Sequence, residues 1–94
     1  SLRKVLPAAW SFLAPRGKII SLVKPQFECK KEEADSGKGI IRDPEIHKRV
    51  LNEIKQFAKT NLSGSSLLAE KSARPQGTDG NQEFFLCWEK KTTA

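Results

Sequence analysis

Ninety-four residues make one small domain at most, because a chain this short buries a modest share of its surface around a single core. A composition of 37% hydrophobic and 30% charged residues can pack a core but is too charged for a membrane protein, and no apolar run approaches the roughly 20 residues that cross a bilayer. Lysine and arginine number 17 against 11 acidic residues, and the resulting +6 favours a polyanionic partner without requiring one, since many small basic domains bind no nucleic acid.

Cys29 and Cys87 lie far apart and fit no metal-ligand spacing, and the single histidine, His47, has no partner nearby in sequence. Metal chemistry and Cys–His catalysis therefore lack support, and both cysteines read as free thiols of a reducing compartment. Residues 1–13 mix Arg3 and Lys4 with Pro7 and Trp10, so no secretory signal is visible and a cytoplasmic protein is expected.

Leu2, Val5, Leu6, Ala9, Trp10 and Leu13 recur at helical spacing and predict an amphipathic helix that Ala14-Pro15-Arg16-Gly17 ends. Pro7 is tolerated there, because the amide it lacks would have bonded the carbonyl of Arg3 in the first turn. Residues 18–23 carry Ile19, Ile20, Leu22 and Val23 in a run apolar on both faces, as in a strand buried within a parallel sheet, and Lys24-Pro25 ends it. The polar stretch 27–41, with Gly37 and Gly39, reads as a mobile surface loop, flexible over 30–39.

Asp43 as N-cap and Pro44 at the first helical position open the clearest helix, whose stripe is Ile46, Val50, Leu51, Ile54, Phe57 and Ala58 and whose end falls at Asn61. Residues 65–69 predict a short strand and 74–81 a loop. Residues 83–89 predict a strand covered on both faces, Phe84, Leu86 and Trp88 against Phe85 and Cys87, with a polar tail over 90–94. The order helix, strand, helix, strand, strand argues an α/β fold with one right-handed crossover and a closing hairpin.

Three patches taken together resemble one family: Leu22-Val23-Lys24-Pro25-Gln26-Phe27-Glu28, then Gly39-Ile40-Ile41-Arg42-Asp43-Pro44, then Gly80-Asn81-Gln82-Glu83-Phe84-Phe85-Leu86. They are similar to the FtsJ-like RNA 2′-O-methyltransferase domain of hemolysin A (TlyA) type proteins, and Ser1-Leu2-Arg3-Lys4-Val5-Leu6-Pro7 resembles the segment after that domain's fourth strand. The resemblance covers residues 1–94 and implies the C-terminal half of the domain. It implies a portion of a Rossmann-like methyltransferase sheet with three strands and two helices, the last strand antiparallel and between the other two.

The family uses a Lys-Asp-Lys-Glu tetrad in methylating a ribose 2′-hydroxyl. By resemblance, Lys24 matches the second lysine and Glu83 the glutamate, while the other two members fall before Ser1. Arg42 and Asn81, in the second and third patches, are candidate substrate contacts. S-adenosylmethionine is the implied methyl donor of the parent protein and RNA, ribosomal first, the implied partner. No glycine-rich loop follows a first strand here, so this chain is expected to hold no donor and to be inactive alone.

The residue types suit the chemistry independently of the family. A ribose hydroxyl is a weak nucleophile until its proton is drawn off and its lone pair aimed. A lysine at a strand end does this as base or as steering cation, and a carboxylate fixes the lysine.

Set against these readings, a lysine before proline is ordinarily a solvated strand terminator, and Glu83 is a plausible strand opener. Arg42 has two readings, a phosphate contact or an ion pair with Glu28. Lys30 and Lys31 beside Glu32 and Glu33 predict a self-neutralising solvated loop. Phe84, Phe85 and Trp88 read as core, and His47 as a residue of the helix's polar face with no role. Two other functions compete, a basic RNA-binding module without catalysis and a membrane-active cytolysin, and neither has the exposed aromatic cluster or strongly amphipathic surface segment it needs. No membrane partner is expected. Strand 18–23, lacking interior charge or proline, is expected to be an open edge prone to self-association.

Overall fold

The computed structural model describes residues 1–73 and 80–91; most of the expected 74–81 loop and of the 90–94 tail lies outside them. Helix α1 (Leu2–Phe12) starts at Ser1, whose hydroxyl accepts from the Arg3 amide. Its first turn holds no acidic residue, and Glu28 supplies the missing negative charge from a distance: its carboxylate accepts the Leu2 amide at 3.0 and 3.2 Å and the Ser1 hydroxyl at 3.0 Å.

Strand β1 (Lys18–Val23) leads into two short helices, α2 (Pro25–Glu28) and α3 (Lys31–Ser36). The long helix α4 (Pro44–Asn61) follows, capped by the Asp43 carboxylate accepting the Glu45 amide at 2.9 Å. Strands β2 (Ser65–Ser72) and β3 (Phe84–Lys90) complete the chain.

The sheet order is β1-β3-β2, and β3 runs antiparallel to both neighbours. β1 and β2 are therefore parallel to each other, joined by a crossover that contains α4. This agrees with the expectation that the last strand lies reversed between the other two. Leu6 and Trp10 of α1 and Val50, Leu51, Ile54 and Ala58 of α4 pack with Leu62 against Val23, Leu86 and Trp88 on one sheet face.

Three expectations are corrected. The stretch 27–41 is not one loop, because it carries the end of α2 and all of α3. Strand β2 runs to Ser72 rather than Ala69. The sheet is covered on one face only: Ile20, Leu22 and Phe85 are 70, 38 and 41% exposed, so β1 and β3 are not buried on both sides and Phe85 is not core. Successive strand residues point to opposite faces, and both helices that cover the sheet lie on the Val23–Leu86 side.

Candidate functional site

Strand register explains why two residues 59 positions apart meet. Val23 pairs with Phe84 as the last β1–β3 couple, and extending the register one step sets Lys24 opposite Glu83. The Lys24 ammonium Nζ lies 3.7 Å from Glu83 Oε2, with side chains 38 and 17% exposed. Pro25 follows Lys24 at the first position of α2 and holds Lys24 extended at φ −109°, ψ 102°, so the side chain leaves the carboxyl end of β1. Glu83 is fixed in turn through its carbonyl, which accepts from the Ala73 amide at 2.8 Å and from Gln82 Nε2 at 2.9 Å; the same Gln82 amide reaches the Ala73 carbonyl at 3.0 Å. Sequence reasoning missed Gln82, whose role depends on where β2 ends.

Residues 39–42 are clamped beside this pair. Lys38 and Gly39 have φ of 54° and 83°, a left-handed turn that brings Ile41 inward. Asn81, following Gly80 at φ 87°, is fully buried; its Oδ1 accepts the Ile41 amide at 2.8 Å and its Nδ2 donates to the Gly39 carbonyl at 2.9 Å. Asn81 thus braces the backbone of this turn from a fully buried position.

His47 closes the clamp from α4. Its Nε2 lies 2.8 Å from the Ile41 carbonyl oxygen, and its ring meets Phe84 edge-on with centroids 5.5 Å apart. It does not point into solvent from a polar face, as the helical wheel had suggested. Arg42 emerges from this clamp exposed, and among the described residues it forms no ion pair. The pairing with Glu28 is absent because that carboxylate is occupied by the start of α1.

Glu33 finds its ion-pair partner outside its own segment. Glu33 accepts the Lys30 amide at 2.9 Å and a two-pronged contact from Arg49 of α4, at 2.7 and 2.5 Å, which pins α3 to α4. Arg49 also reaches Glu53 at 3.2 Å. The guanidinium holds the Glu33 carboxyl down at about 2, and the carboxylate raises Arg49 further above its already high range. Burial, with Glu33 nearby, pushes the Cys29 thiol up. Among the described residues no group of three histidine, cysteine, aspartate or glutamate side chains is placed to hold a metal.

A small cleft of about 200 Å³ opens beside Lys24, walled by Leu2 and Val5 of α1, Leu22 of β1, and Phe27 and Glu28 of α2. Lys24 Nζ sits 5.5 Å from the centre of the Phe27 ring. A larger groove of about 670 Å³ along α4 mixes Arg3, Lys48 and Arg49 with Glu45 and Glu53. β1 passes into α2 through Lys24-Pro25.

No family model matches the chain. Over 86 residues, 92% of the chain, it is 38% identical to the candidate rRNA methyltransferase YqxC of Bacillus subtilis and 36% identical to the 16S/23S rRNA (cytidine-2′-O)-methyltransferase TlyA of Mycobacterium tuberculosis. The chain spans about a third of the length of these curated relatives, 30 and 31%. Among solved structures, a candidate hemolysin from Lactococcus lactis superposes with a TM-score of 0.88 at 33% identity, over 97% of this chain and 42% of that one. Another from Streptococcus thermophilus gives 0.87 at 38% identity, over 99% of this chain and 32% of that one. No helix among the described residues is long and apolar enough to cross a membrane.

Proposed function

The chain belongs to the TlyA-type proteins, and on that premise we propose that it supplies the substrate side of an rRNA 2′-O-methyltransferase site, as the C-terminal half of a Rossmann-like, FtsJ-type domain. The observation that carries the reading is the Lys24–Glu83 pair, 3.7 Å apart at the carboxyl end of β1, where open α/β sheets bind their ligands. S-adenosylmethionine supplies the methyl group in this reading and is held by parts of the longer protein outside these residues.

Lys24 meets the ribose 2′-hydroxyl and Glu83 aims the lysine. The ammonium, tethered to Glu83 Oε2 on one side, keeps its remaining hydrogen-bonding directions for the hydroxyl oxygen and orients its lone pair outward from the strand end. Gln82 and Asn81 position the strand start that carries Glu83. Exposed and without an ion-pair partner among the described residues, Arg42 contacts a phosphate of the same RNA.

The test is methyl transfer from radiolabelled S-adenosylmethionine to ribosomal RNA by the full-length parent protein. Lys24→Ala is expected to lower turnover by roughly 100-fold or more and Glu83→Gln by less, with melting temperatures retained. Wild-type turnover in the Lys24→Ala protein removes the assignment. The hemolysin names of the two solved structures favour a second reading, a membrane-lytic parent, which leakage of dye from liposomes treated with the full-length protein separates from the first.

A further inference from the structure

Phe27 is an aromatic residue without a core. It is 68% exposed, although it sits at the third position of α2 directly behind the strand end that carries Lys24. Its neighbours across the cleft, Val5 and Leu22, are 57 and 38% exposed, so the wall is apolar and open while its rim holds a cation. Lys24 Nζ lies over the ring, 5.5 Å from its centroid, and the ring lines the cleft. Among the described residues that line the cleft the one carboxylate is Glu28, and its oxygens are directed to the Leu2 amide and the Ser1 hydroxyl at the start of α1.

We propose that this cleft receives an unstacked nucleobase, with Phe27 as its stacking platform. The proposal rests on the reading of Lys24 as the residue that meets a ribose hydroxyl. A flat aromatic face suits a base of any sequence, because every base has a π-face, and single-stranded or flipped-out nucleotides are held by such stacking. The spacing is that of one nucleotide: a base lying on Phe27 has its own or the adjoining ribose at the lysine whose ammonium already borders that ring. A partner with a peptide or acyl surface would gain the apolar wall but leave the rim cation unused, whereas a nucleotide uses both.

The experiment uses the full-length parent protein and a single-stranded RNA heptamer carrying 2-aminopurine at its centre, followed by polarisation and base fluorescence. Phe27→Ala is expected to weaken heptamer binding by about tenfold or more, the loss typical of one stacking aromatic. Phe27→Trp is expected to keep the affinity and to show its indole emission quenched on saturation. Lys24→Ala is expected to keep the quenching of 2-aminopurine and to weaken heptamer binding less than Phe27→Ala does while losing methyl transfer, which separates the platform from the chemistry. Unchanged affinity in Phe27→Ala, an indole signal unmoved by saturating heptamer, or a loss confined to melting temperature overturns the proposal. If Phe27→Ala keeps wild-type kcat and KM on ribosomal RNA, the platform falls while the methyltransferase reading stands. If heptamer quenches the tryptophan but the wild type transfers no methyl group, the platform stands and that reading falls.

Discussion

Glu33 accepts the Lys30 amide and the Arg49 guanidinium together, and this double partnership holds its carboxyl at about 2, below its ordinary value of 4.5. A carboxyl depressed in the folded state contributes stability that is fully present above its unfolded value and is lost as pH falls through the folded one. The contribution of Glu33 is therefore whole above about pH 4.5 and gone near pH 2. Replacing Arg49 by methionine is expected to lower the melting midpoint at neutral pH and to leave it nearly unchanged near pH 2, so the two melting curves converge on acidification. Midpoints measured by circular dichroism at several pH values check this, and a constant gap between the proteins contradicts it. At this scale Lys24 and Glu83 were singled out by the resemblance of their flanking motifs rather than by any local signature, and their meeting follows from the β1–β3 register. Asn81 and His47 were not legible, because both act on Ile41, and no periodicity says which distant backbone groups a buried amide or imidazole will satisfy.

Helix α1 is tied down at both ends by residues far from it in sequence. Its last turn contains no basic residue, yet Lys90 Nζ, from the final residue of β3, donates to the carbonyls of Trp10 at 2.9 Å and Leu13 at 3.0 Å and lies 5.6 Å from the Trp10 ring centre. A cation at a helix C-terminus satisfies carbonyls that have no intrahelical partner and opposes the negative end of the dipole. Lys90→Met is expected to cost about 1 to 2 kcal/mol in urea unfolding. Faster amide exchange should concentrate in the last turn of α1. Equal stability and unchanged exchange would show the contact to be idle. The long elements α1, α4, β1 and β3 were readable from their apolar spacing. α3 was not, since Lys31–Ser36 has no apolar stripe and is held by one local and one tertiary contact, the Glu33 carboxylate returning to the Lys30 amide and Arg49 clamping the same group from α4.

For the whole molecule, apolar residues on both faces of β1 and β3 signalled strands able to be buried on both sides, but what covers a face depends on the elements available. α1 and α4 both pack on the Val23–Leu86 side, leaving Ile20, Leu22 and Phe85 in a row on the other. The two sheet edges also differ. β2 carries Glu70 and Lys71 in its interior and an irregularity between Leu67 and Ala69, which together discourage a further strand, whereas the interior of β1 is Ile19 to Leu22 with no charge. An open edge and an uncovered apolar face on the same strand give a second copy both backbone groups to pair and side chains to bury. A two-fold contact closes on itself, while a one-directional one continues into aggregate. The 94-residue chain is therefore expected to form a dimer through residues 18–23 at high micromolar concentration. Ile20→Lys, which places a charge in the middle of that outward row, is expected to return it to monomer without loss of helix content, because Ile20 is 70% exposed and contributes little to the core. Light scattering coupled to size exclusion reads the mass of both proteins. A monomeric wild type, or a dimer indifferent to Ile20→Lys, would mean that β1 is protected by a contact other than the pairing its edge offers.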